Sequence, residues 1–467
     1  LFEKNGEDFS VARAENNQAY VEARMGKYAD AYSKIKKALE LRQKIGDFDG
    51  YALSLTVQGF IEDRMGMYPA ALQHAREAKA IIKSVFPTRI IRSYLYAGLV
   101  EARALRHSAQ KRVETSDVAF DYLDDAYDVL KEIMEHEDML EPYYQWEVYN
   151  ELGQVFSRRA GLMGRWELLK MKEDKEKFLN HLKEADKFFR RADEIANKAR
   201  LINEIMDNCD DWSWVFITKL ENYDAIKDLE KAEPSYYYRK AKETLEKGMK
   251  QIEINGVTLI RIREESPPPG SPRYYEGFYW LGSLYFTKAH LTMHYADKFD
   301  EQLKERLKDE KLKKTEVIKY LLKANVLYDL FTDQPLERLS DARTWLIGEL
   351  EEIGHTREVE EILKEAIRYL KETFGTAVKV DKTKLSKYKD ELEKKGFLLD
   401  EERGFIFLRL SEPVEKWDEA AQLLGIFSGL LNKVKEAHTQ LLKNLPVWRE
   451  ISAKFPRIDL IKLLEEA

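Results

Sequence analysis

A short phrase occurs three times near the start of the chain, and its spacing constrains the fold more than any other feature. The copies are residues 21–24, 61–64 and 100–103, which lie 40 and then 39 residues apart, and each reads aliphatic residue, Glu, variable residue, Arg. A fixed period of this size indicates stacked supersecondary units, none of which can bury its apolar face alone. The sequence therefore predicts an all-α fold, a superhelical solenoid of helical hairpins.

Each unit is predicted to be two helices joined by a tight glycine turn. After the first two copies of the phrase come Gly26 and Gly66, followed at matched positions by Ala31 and Ala71. Glycine permits the left-handed backbone of a tight turn, and small residues let two helices approach closely. The apolar residues fall mostly at i, i+3 and i+4, and there are only 22 Gly and 12 Pro in 467 residues, so helices should dominate.

Composition limits the function classes. The 77 basic and 84 acidic residues leave a net charge of −7, which argues against sequence-independent nucleic-acid binding, because that needs a basic stripe. One cysteine, Cys209, excludes an internal disulfide framework and favours a reducing, cytoplasmic location. The longest apolar run, about 420–431, is too short for a membrane span, and no signal peptide is visible. Because the chain opens at Leu1 without Met, we expect it to be part of a longer protein.

Turns and prolines divide the chain into four predicted parts. An N-terminal array of hairpins covers 1–265, and a Pro-rich loop at 266–272 separates it from a second helical array at 273–373. Residues 374–410 are predicted to form a small α/β insert, with a strand, a helix and a β-hairpin in that order. Residues 411–467 are predicted to be capping helices.

The pattern of residues 10–84 resembles the tetratricopeptide repeat (TPR) in a longer form. The residues that match the family's Gly, Gly, Tyr, Ala and Ala positions are Gly59, Gly66, Tyr68, Ala71 and Ala78. The units are divergent, since Leu55 replaces the family's large aromatic residue at position 4 and Glu replaces its Tyr at position 11. The resemblance implies TPR-like hairpins with a concave groove that binds a protein or peptide partner.

A second resemblance concerns residues 39–47 and 50–55, which are similar to repeat arrays found downstream of STAND-type signalling ATPases in bacteria. In those proteins the array is the ligand sensor, and an upstream module binds nucleotide. The resemblance implies that this chain is a sensor arm, with self-association through an upstream module. The chain itself has no phosphate-binding loop of the Gly-x-x-x-x-Gly-Lys-Ser/Thr type, so we expect no cofactor here.

The arginines of the repeated phrase are the first candidate binding residues. In the TPR family their position faces the groove, which implies one column formed by Arg24, Arg64 and Arg103. The residues four positions earlier would lie beside that column and supply apolar contact: Tyr20, Phe60 and Leu99. Guanidinium groups form forked bonds to carboxylates and phosphates, so the column would suit an acidic partner. The alternative is a ladder of ion pairs, in which a Glu two positions earlier or a Glu of the next unit holds each arginine.

Aromatic residues near the Pro-rich loop form a second candidate surface, which includes Trp212, Trp214, Tyr274 and Tyr275. Aromatic side chains are enriched at binding hot spots. They also fill the space between irregular helical pairs. The sequence leaves both roles open.

No catalytic residue and no metal site is predicted. His290 and His294 are one helical turn apart, but Leu291 stands where a zinc-protease motif would place Glu. Cys209 is followed by Asp210 in an acidic setting that should raise its thiol pKa rather than activate it. We expect no enzymatic activity in this segment, even if it belongs to a larger ATPase.

The predicted insert introduces another function class, because a helix followed by a hairpin resembles the end of a winged-helix unit. In that interpretation a phosphate backbone would contact Lys382, Lys384, Lys387 and Lys389. The acidic hairpin turn at 400–402 has the wrong sign for such a contact. We therefore prefer a structural or protein-contacting insert.

The combined interpretation is a scaffold or sensor that binds a protein partner or ligand in its concave groove. The ligand-sensing arm of a larger STAND-type ATPase is the first form of this hypothesis. A free-standing protein–protein adaptor and a nucleic-acid-binding regulator that uses the insert are the alternatives. No membrane contact is expected.

Overall fold

The computed structural model describes residues 7–111, 115–251, 273–332, 337–354, 356–373, 375–401, 404–409, 413–426, 443–459 and 462–463. The chain divides into two compact units, residues 1–248 and 249–467. The predicted Pro-rich loop and much of the predicted C-terminal cap lie outside the described residues. No helix in the part of the chain that is described is long and apolar enough to cross a membrane.

The first unit consists of helical hairpins in series, which confirms the predicted fold class. Its longer helices are α1 (Asp8–Arg24), α2 (Tyr28–Ile45), α3 (Phe48–Arg64), α4 (Tyr68–Val85), α5 (Arg92–Lys111), α6 (Ser116–Met134), α7 (Pro142–Arg165), α8 (Lys172–Ala199), α9 (Ile202–Glu221) and α10 (Pro234–Met249). Within each of the first four hairpins the two helices pack together, and each hairpin packs on the next. The first helices α1, α3, α5, α7 and α9 also contact one another in order.

The repeated turn and the alanines behave as the period predicts. Gly26 and Gly66 have φ values of 75° and 76°, a left-handed conformation that side-chain-bearing residues rarely adopt. Ala31 and Ala71 in the following helices are completely buried. Because a methyl group is the whole side chain at these positions, the two helices of a hairpin can pack closely.

A buried polar chain joins the first hairpin to the second. The guanidinium of Arg42 donates to the Ser54 hydroxyl at 2.9 Å, and that hydroxyl donates to the Asn16 side chain at 2.9 Å. Helix α3 begins a few residues before Ser54. The Asp47 carboxylate accepts a hydrogen bond from the Gly50 amide and so caps the N-terminus of α3. These bonds fix the register between α1, α2 and α3.

In its described residues the second unit contains four further long helices, a small sheet and three shorter helices. Its elements are α11 (Arg273–Leu291), α12 (Glu310–Phe331), α13 (Glu337–Ile353), α14 (Thr356–Thr373), β1 (Gly375–Lys379), α15 (Lys382–Lys394), β2 (Leu398–Asp400), β3 (Phe405–Arg409), α16 (Val414–Leu424) and α17 (Pro446–Lys454). A π-helical turn, Thr292–Ala296, follows α11. The charged stretch that separates α11 from α12 forms the short helices Asp297–Phe299 and Lys304–Leu307.

The strands form one antiparallel sheet with the order β1-β3-β2. β1 pairs with β3 from Gly375 opposite Arg409, and β2 pairs with β3 from Leu398 opposite Phe407. The core of this segment includes Trp417 of α16, which is completely buried. The sequence assigned Trp417 to the cap, but its side chain packs with the sheet segment because the small sheet has too little apolar surface to close a core alone.

Candidate partner-binding site

The first helices of four consecutive hairpins line a cavity of about 370 Å³ in the first unit. Its wall consists of Asn16, Asn17, Tyr20, Val21, Leu53, Thr56, Val57, Phe60, Tyr96, Leu99, Val100, Arg103, Tyr143, Tyr144 and Glu147. Three of these residues were predicted to lie beside the arginine column: Tyr20, Phe60 and Leu99. They all belong to this one wall. The structure brings Arg103 to the same wall.

Aromatic rings form two contacting groups in this wall. The Tyr20 and Phe60 ring centroids are 5.3 Å apart, and the Tyr96 and Tyr144 rings stack at 4.3 Å. Tyr143 meets Tyr144 edge to face, with centroids 5.0 Å apart. Such arrangements hold the rings in fixed orientations, because offset and edge-to-face contacts are the favoured geometries of aromatic pairs.

Helix α7 reaches across the cavity to α1. The Arg24 guanidinium donates to the Tyr143 hydroxyl, and its centre lies 5.0 Å from the Tyr143 ring centroid. Burial raises the pKa of Tyr144, and the neighbouring Tyr20, whose side chain is hydrogen-bonded to it, contributes in the same direction. The first and fourth hairpins thus contact each other through side chains around the cavity.

Arg103 is held by carboxylates from two other helices. Its guanidinium lies 2.7 Å from Glu147, 3.6 Å from Glu151 and 3.4 Å from Asp63. The residue is only 8% exposed. Burial alone would lower the pKa of Arg103, but the three carboxylates outweigh burial and raise it.

The other two arginines of the column are also engaged inside the chain. Arg24 is 3% exposed and lies 3.7 Å from the Glu204 carboxylate of α9. Arg64 is half-buried, with its guanidinium centre 5.3 Å from the Phe60 ring centroid. The contacts of Arg24 and Arg103 correspond to the ion-pair alternative.

Of the two partners that this alternative offered, Arg103 has the Glu of the next unit, Glu147, and the Glu two positions before each arginine bonds to another helix. Glu22 pairs with Lys34 at 3.1 Å, and Glu62 pairs with His74 at 2.7 Å. Glu101 accepts bonds from Arg76 and Lys79, both at 2.8 Å. Residues two apart on a helix point to different sides, so each Glu faces the second helix of a hairpin and its arginine points elsewhere.

The pairing of His74 with Glu62 predicts a pH-dependent contribution to stability. The bond to Glu62 raises the pKa of His74 despite its partial burial, and Glu77 adds to the effect. The stabilisation should be complete below the ordinary histidine pKa of about 6.5 and should be lost as pH rises through the raised value. Unfolding midpoints of the wild type and a His74→Gln variant should therefore differ most in acid and converge as pH rises.

The control for this prediction is the same comparison in a Glu62→Gln background. Removal of the carboxylate should abolish the pH dependence of the difference. A wild-type advantage that stays constant from about pH 5.5 to about pH 8.5 would contradict the assignment.

Asp63 also pairs with a histidine, but the pKa of this second imidazole is lowered rather than raised. Asp63 lies 2.7 Å from the His107 Nδ1 atom. Burial and the Arg106 charge lower the pKa of His107 in spite of this contact. Burial would raise the pKa of Asp63, but His107 and Arg103 outweigh it and hold that pKa well below its usual range. Asp63 is therefore a permanent anion behind Arg103.

Trp212 and Trp214, the aromatic candidates of the first unit, are not among the residues that line this cavity. The Trp212 indole donates to Asp186 at 2.8 Å and packs in the core cluster of α7, α8 and α9. This contact corresponds to the core-packing alternative. Trp214 lies half-buried on the same helix. Tyr274 and Tyr275 lie in the first turn of α11, and their side chains are outside the described part of the structure.

The structure places the two candidate histidines side by side and buries the single cysteine. The His290 and His294 rings are 4.5 Å apart at the start of the π-helical turn. Within the described residues there is no group of three or more His, Cys, Asp or Glu side chains that could hold a metal ion. Burial raises the pKa of the Cys209 thiol to about 12, so the predicted direction is right and burial is its main cause.

Two of the four lysines predicted to meet nucleic acid bond within the second unit. Lys389 lies 2.6 Å from the Glu401 carboxylate, and Lys384 donates to the Leu424 carbonyl at 3.3 Å. Lys387 lies 5.0 Å from the ring of its neighbour Tyr388. These contacts do not favour the winged-helix interpretation.

Some wall residues were missed in the sequence although a signal was present. Asn17, Val57 and Tyr96 stand three residues before Tyr20, Phe60 and Leu99, respectively. Residues at i and i+3 share a helix face, so this second column could have been read from the repeat. Tyr143 and Tyr144 lie in the first turn of α7, beyond the three copies of the repeated phrase, and no spacing pointed to them.

Comparison with known proteins agrees with the repeat assignment for the start of the chain. Residues 10–84 match the family model described as the tetratricopeptide repeat. No curated protein matches the chain. The matched range covers α1 to α3 and nearly all of α4, and it contains both glycine turns. The first two hairpins of this chain are therefore similar to tetratricopeptide repeats.

Proposed function

We propose that the chain is a scaffold or sensor that binds a protein partner on the concave wall of its first unit. Tetratricopeptide repeats generally mediate protein–protein contacts, and this chain carries them at residues 10–84. The observation that carries the proposal is the wall itself, where Tyr20, Phe60, Tyr96 and Tyr144 come from four successive first helices. Aromatic residues in fixed orientations are typical anchors of protein interfaces.

The composition of the wall also supports a binding role. Aromatic and aliphatic residues make up most of its lining, Tyr20, Phe60 and Leu99 among them. The opposite faces of the same hairpins are closely packed, with Ala71, Ala78 and Ile82 almost completely buried. A concave surface lined mainly by apolar residues, with a few polar groups among them, is typical of a binding site.

The chemistry of the wall favours apolar contact over an acidic partner. Arg103 already has three carboxylates within 3.6 Å, so a further anion would have to displace one of them. Apolar groups of a partner can contact the rings and aliphatic side chains of the wall without displacing a carboxylate. We propose that apolar groups of the partner supply most of the binding free energy.

We further propose that the chain is the ligand-sensing arm of a larger STAND-type ATPase. The support is the resemblance of residues 39–47 and 50–55 to the sensor arrays of that class. A phosphate-binding loop encoded upstream of Leu1 would support this form of the proposal, whereas a Met codon directly before Leu1 would favour a free-standing adaptor. In the joined protein, ATP hydrolysis should rise when the partner is added.

Tyr20→Ala should weaken partner binding about tenfold or more while the fold persists, since a hot-spot truncation costs more than about 1 kcal/mol. Tyr20 is half-buried and contributes its ring to the wall. The measurement is a pulldown from native lysate with the chain as bait, followed by titration of the captured protein.

The matched control is Tyr122→Ala, which removes a half-buried tyrosine from α6 outside the wall. Capture should survive in this variant. If both variants retain the same proteins with the same affinities, the concave wall is not the partner site.

A further inference from the structure

The geometry points to the cavity as a binding site for a small, uncharged, aromatic molecule. This inference goes beyond partner binding, because it assigns the 370 Å³ space itself a ligand of low molecular weight. Cavities of about 300–1,000 Å³ lined by aromatic and aliphatic side chains are typical of small-molecule sites. The cavity would hold a molecule of about two or three fused rings.

The size of the cavity supports a compact ligand rather than a long chain. Its lining comes from α1, α3, α5 and α7, and the α7 residue Tyr143 accepts a bond from Arg24 of α1. Arg24 in turn lies 3.7 Å from Glu204 of α9, which holds this part of α1 in place. A volume of about 370 Å³ suits a flat molecule of a few rings better than an extended peptide.

Charge matching on the wall supports an uncharged ligand. The only oppositely charged groups that line the described cavity, Arg103 and Glu147, bond to each other at 2.7 Å. An anionic ligand would compete with Glu147 and a cationic ligand with Arg103, and breaking a buried pair leaves one charge uncompensated. A neutral molecule leaves the pair intact.

The tyrosines on the wall are neutral hydrogen-bonding groups with exposed ring surface. Burial raises the pKa of Tyr96 and of Tyr144, so both remain phenols at physiological pH. The polar residues Asn16 and Asn17 of α1 line the same cavity. A ring that carries one hydroxyl or amide could stack between the aromatic groups and bond at its edge.

A series of three naphthalene derivatives tests the inference directly. At neutral pH naphthol is neutral, naphthoate is an anion and naphthylmethylamine is a cation. Binding to the full chain would be measured by calorimetry at neutral pH. Naphthol should bind at a single site, about tenfold or more tighter than either charged analogue. The variant Val57→Phe fills the cavity from α3 and should weaken naphthol binding about tenfold or more.

The matched control is Val118→Phe, which adds the same ring at a side chain that is 46% exposed on α6. Its naphthol affinity should equal that of the wild type. Should Val57→Phe fail to fold, Asn17→Trp serves the same purpose, because Asn17 is exposed and lines the cavity.

Three results would overturn the inference: no naphthol binding, equal affinity for a charged analogue, or affinity unchanged in the folded cavity variant. A capped Gly-Gly-Trp-Gly-Gly peptide that binds tighter than naphthol in the same cavity would also overturn it, by making a protein side chain the occupant. Because no partner protein enters these measurements, they can fail while partner capture succeeds, and the reverse also holds.

Discussion

Replacement of Arg103 by methionine should lower the free energy of unfolding by about 3–5 kcal/mol, the cost of removing one member of a buried ion-pair cluster. The substitution leaves Asp63, Glu147 and Glu151 buried without the cation that they share. Urea unfolding of the full chain would measure the loss. Hydrogen exchange should locate it in α3, α5 and α7, where these four residues lie.

Arg92→Met is the matched control, since it removes the same group from an exposed pair. Arg92 lies 3.0 Å from Glu141, and the side chains are 59% and 47% exposed. Solvent screens such a pair, so the expected loss is at most about 1 kcal/mol. Equal losses in the two variants would show that Arg103 is not part of a buried, mutually dependent cluster.

The Arg103→Met variant also separates the two roles that the sequence allowed for the arginine column. If Arg103 serves mainly to hold α3, α5 and α7 together, the variant loses stability, and at temperatures where it stays folded the captured partner binds as before. If the arginine contacts the partner directly, affinity falls as well. The second outcome would require the partner to reach a side chain that is 8% exposed.

Local features of the fold were predictable because they depend on residues close in sequence. The turns at Gly26 and Gly66 need a left-handed residue, and the alanines after them need close helix contact. A period repeated in this way identifies both requirements without any knowledge of distant contacts. The order of strand, helix and hairpin in residues 375–409 follows in the same manner from alternation and turn residues.

The partners of the charged groups could not be predicted, because they depend on how far each hairpin rotates relative to the last. Arg103 and Glu147 are 44 residues apart, and Arg24 bonds to Tyr143 at a separation of 119 residues. A small rotation per unit decides which side chains meet after three or four units. The sequence therefore places the three arginines at one repeat position but does not identify which carboxylates they contact.

The candidate site was predictable in part for the same reason. Tyr20 and Phe60 were found because they share a repeat position, and such positions align when units stack. Tyr143 and Tyr144 come from the start of α7, beyond the repeated phrase, and reach the wall because α7 packs beside α5 and its Tyr143 bonds to Arg24 of α1. The contribution of α7 to the lining of the cavity depends on that packing.

Gly153→Ala should destabilise the fold by about 1–3 kcal/mol, although alanine is the better helix former, because the added methyl overpacks a finished core. A Cβ atom at Gly153 in α7 would lie 2.7 Å from the Phe189 ring of α8, and Phe189 is completely buried. The control is Gly161→Ala in the same helix, where the added Cβ would meet nothing within 4 Å. That variant should be stabilised by about 0.5–1 kcal/mol, because glycine is unfavourable in a helix. Thermal unfolding of the two variants should therefore shift in opposite directions, and a shift of the same sign in both would mean that the close approach of α7 to α8 at Gly153 does not limit stability.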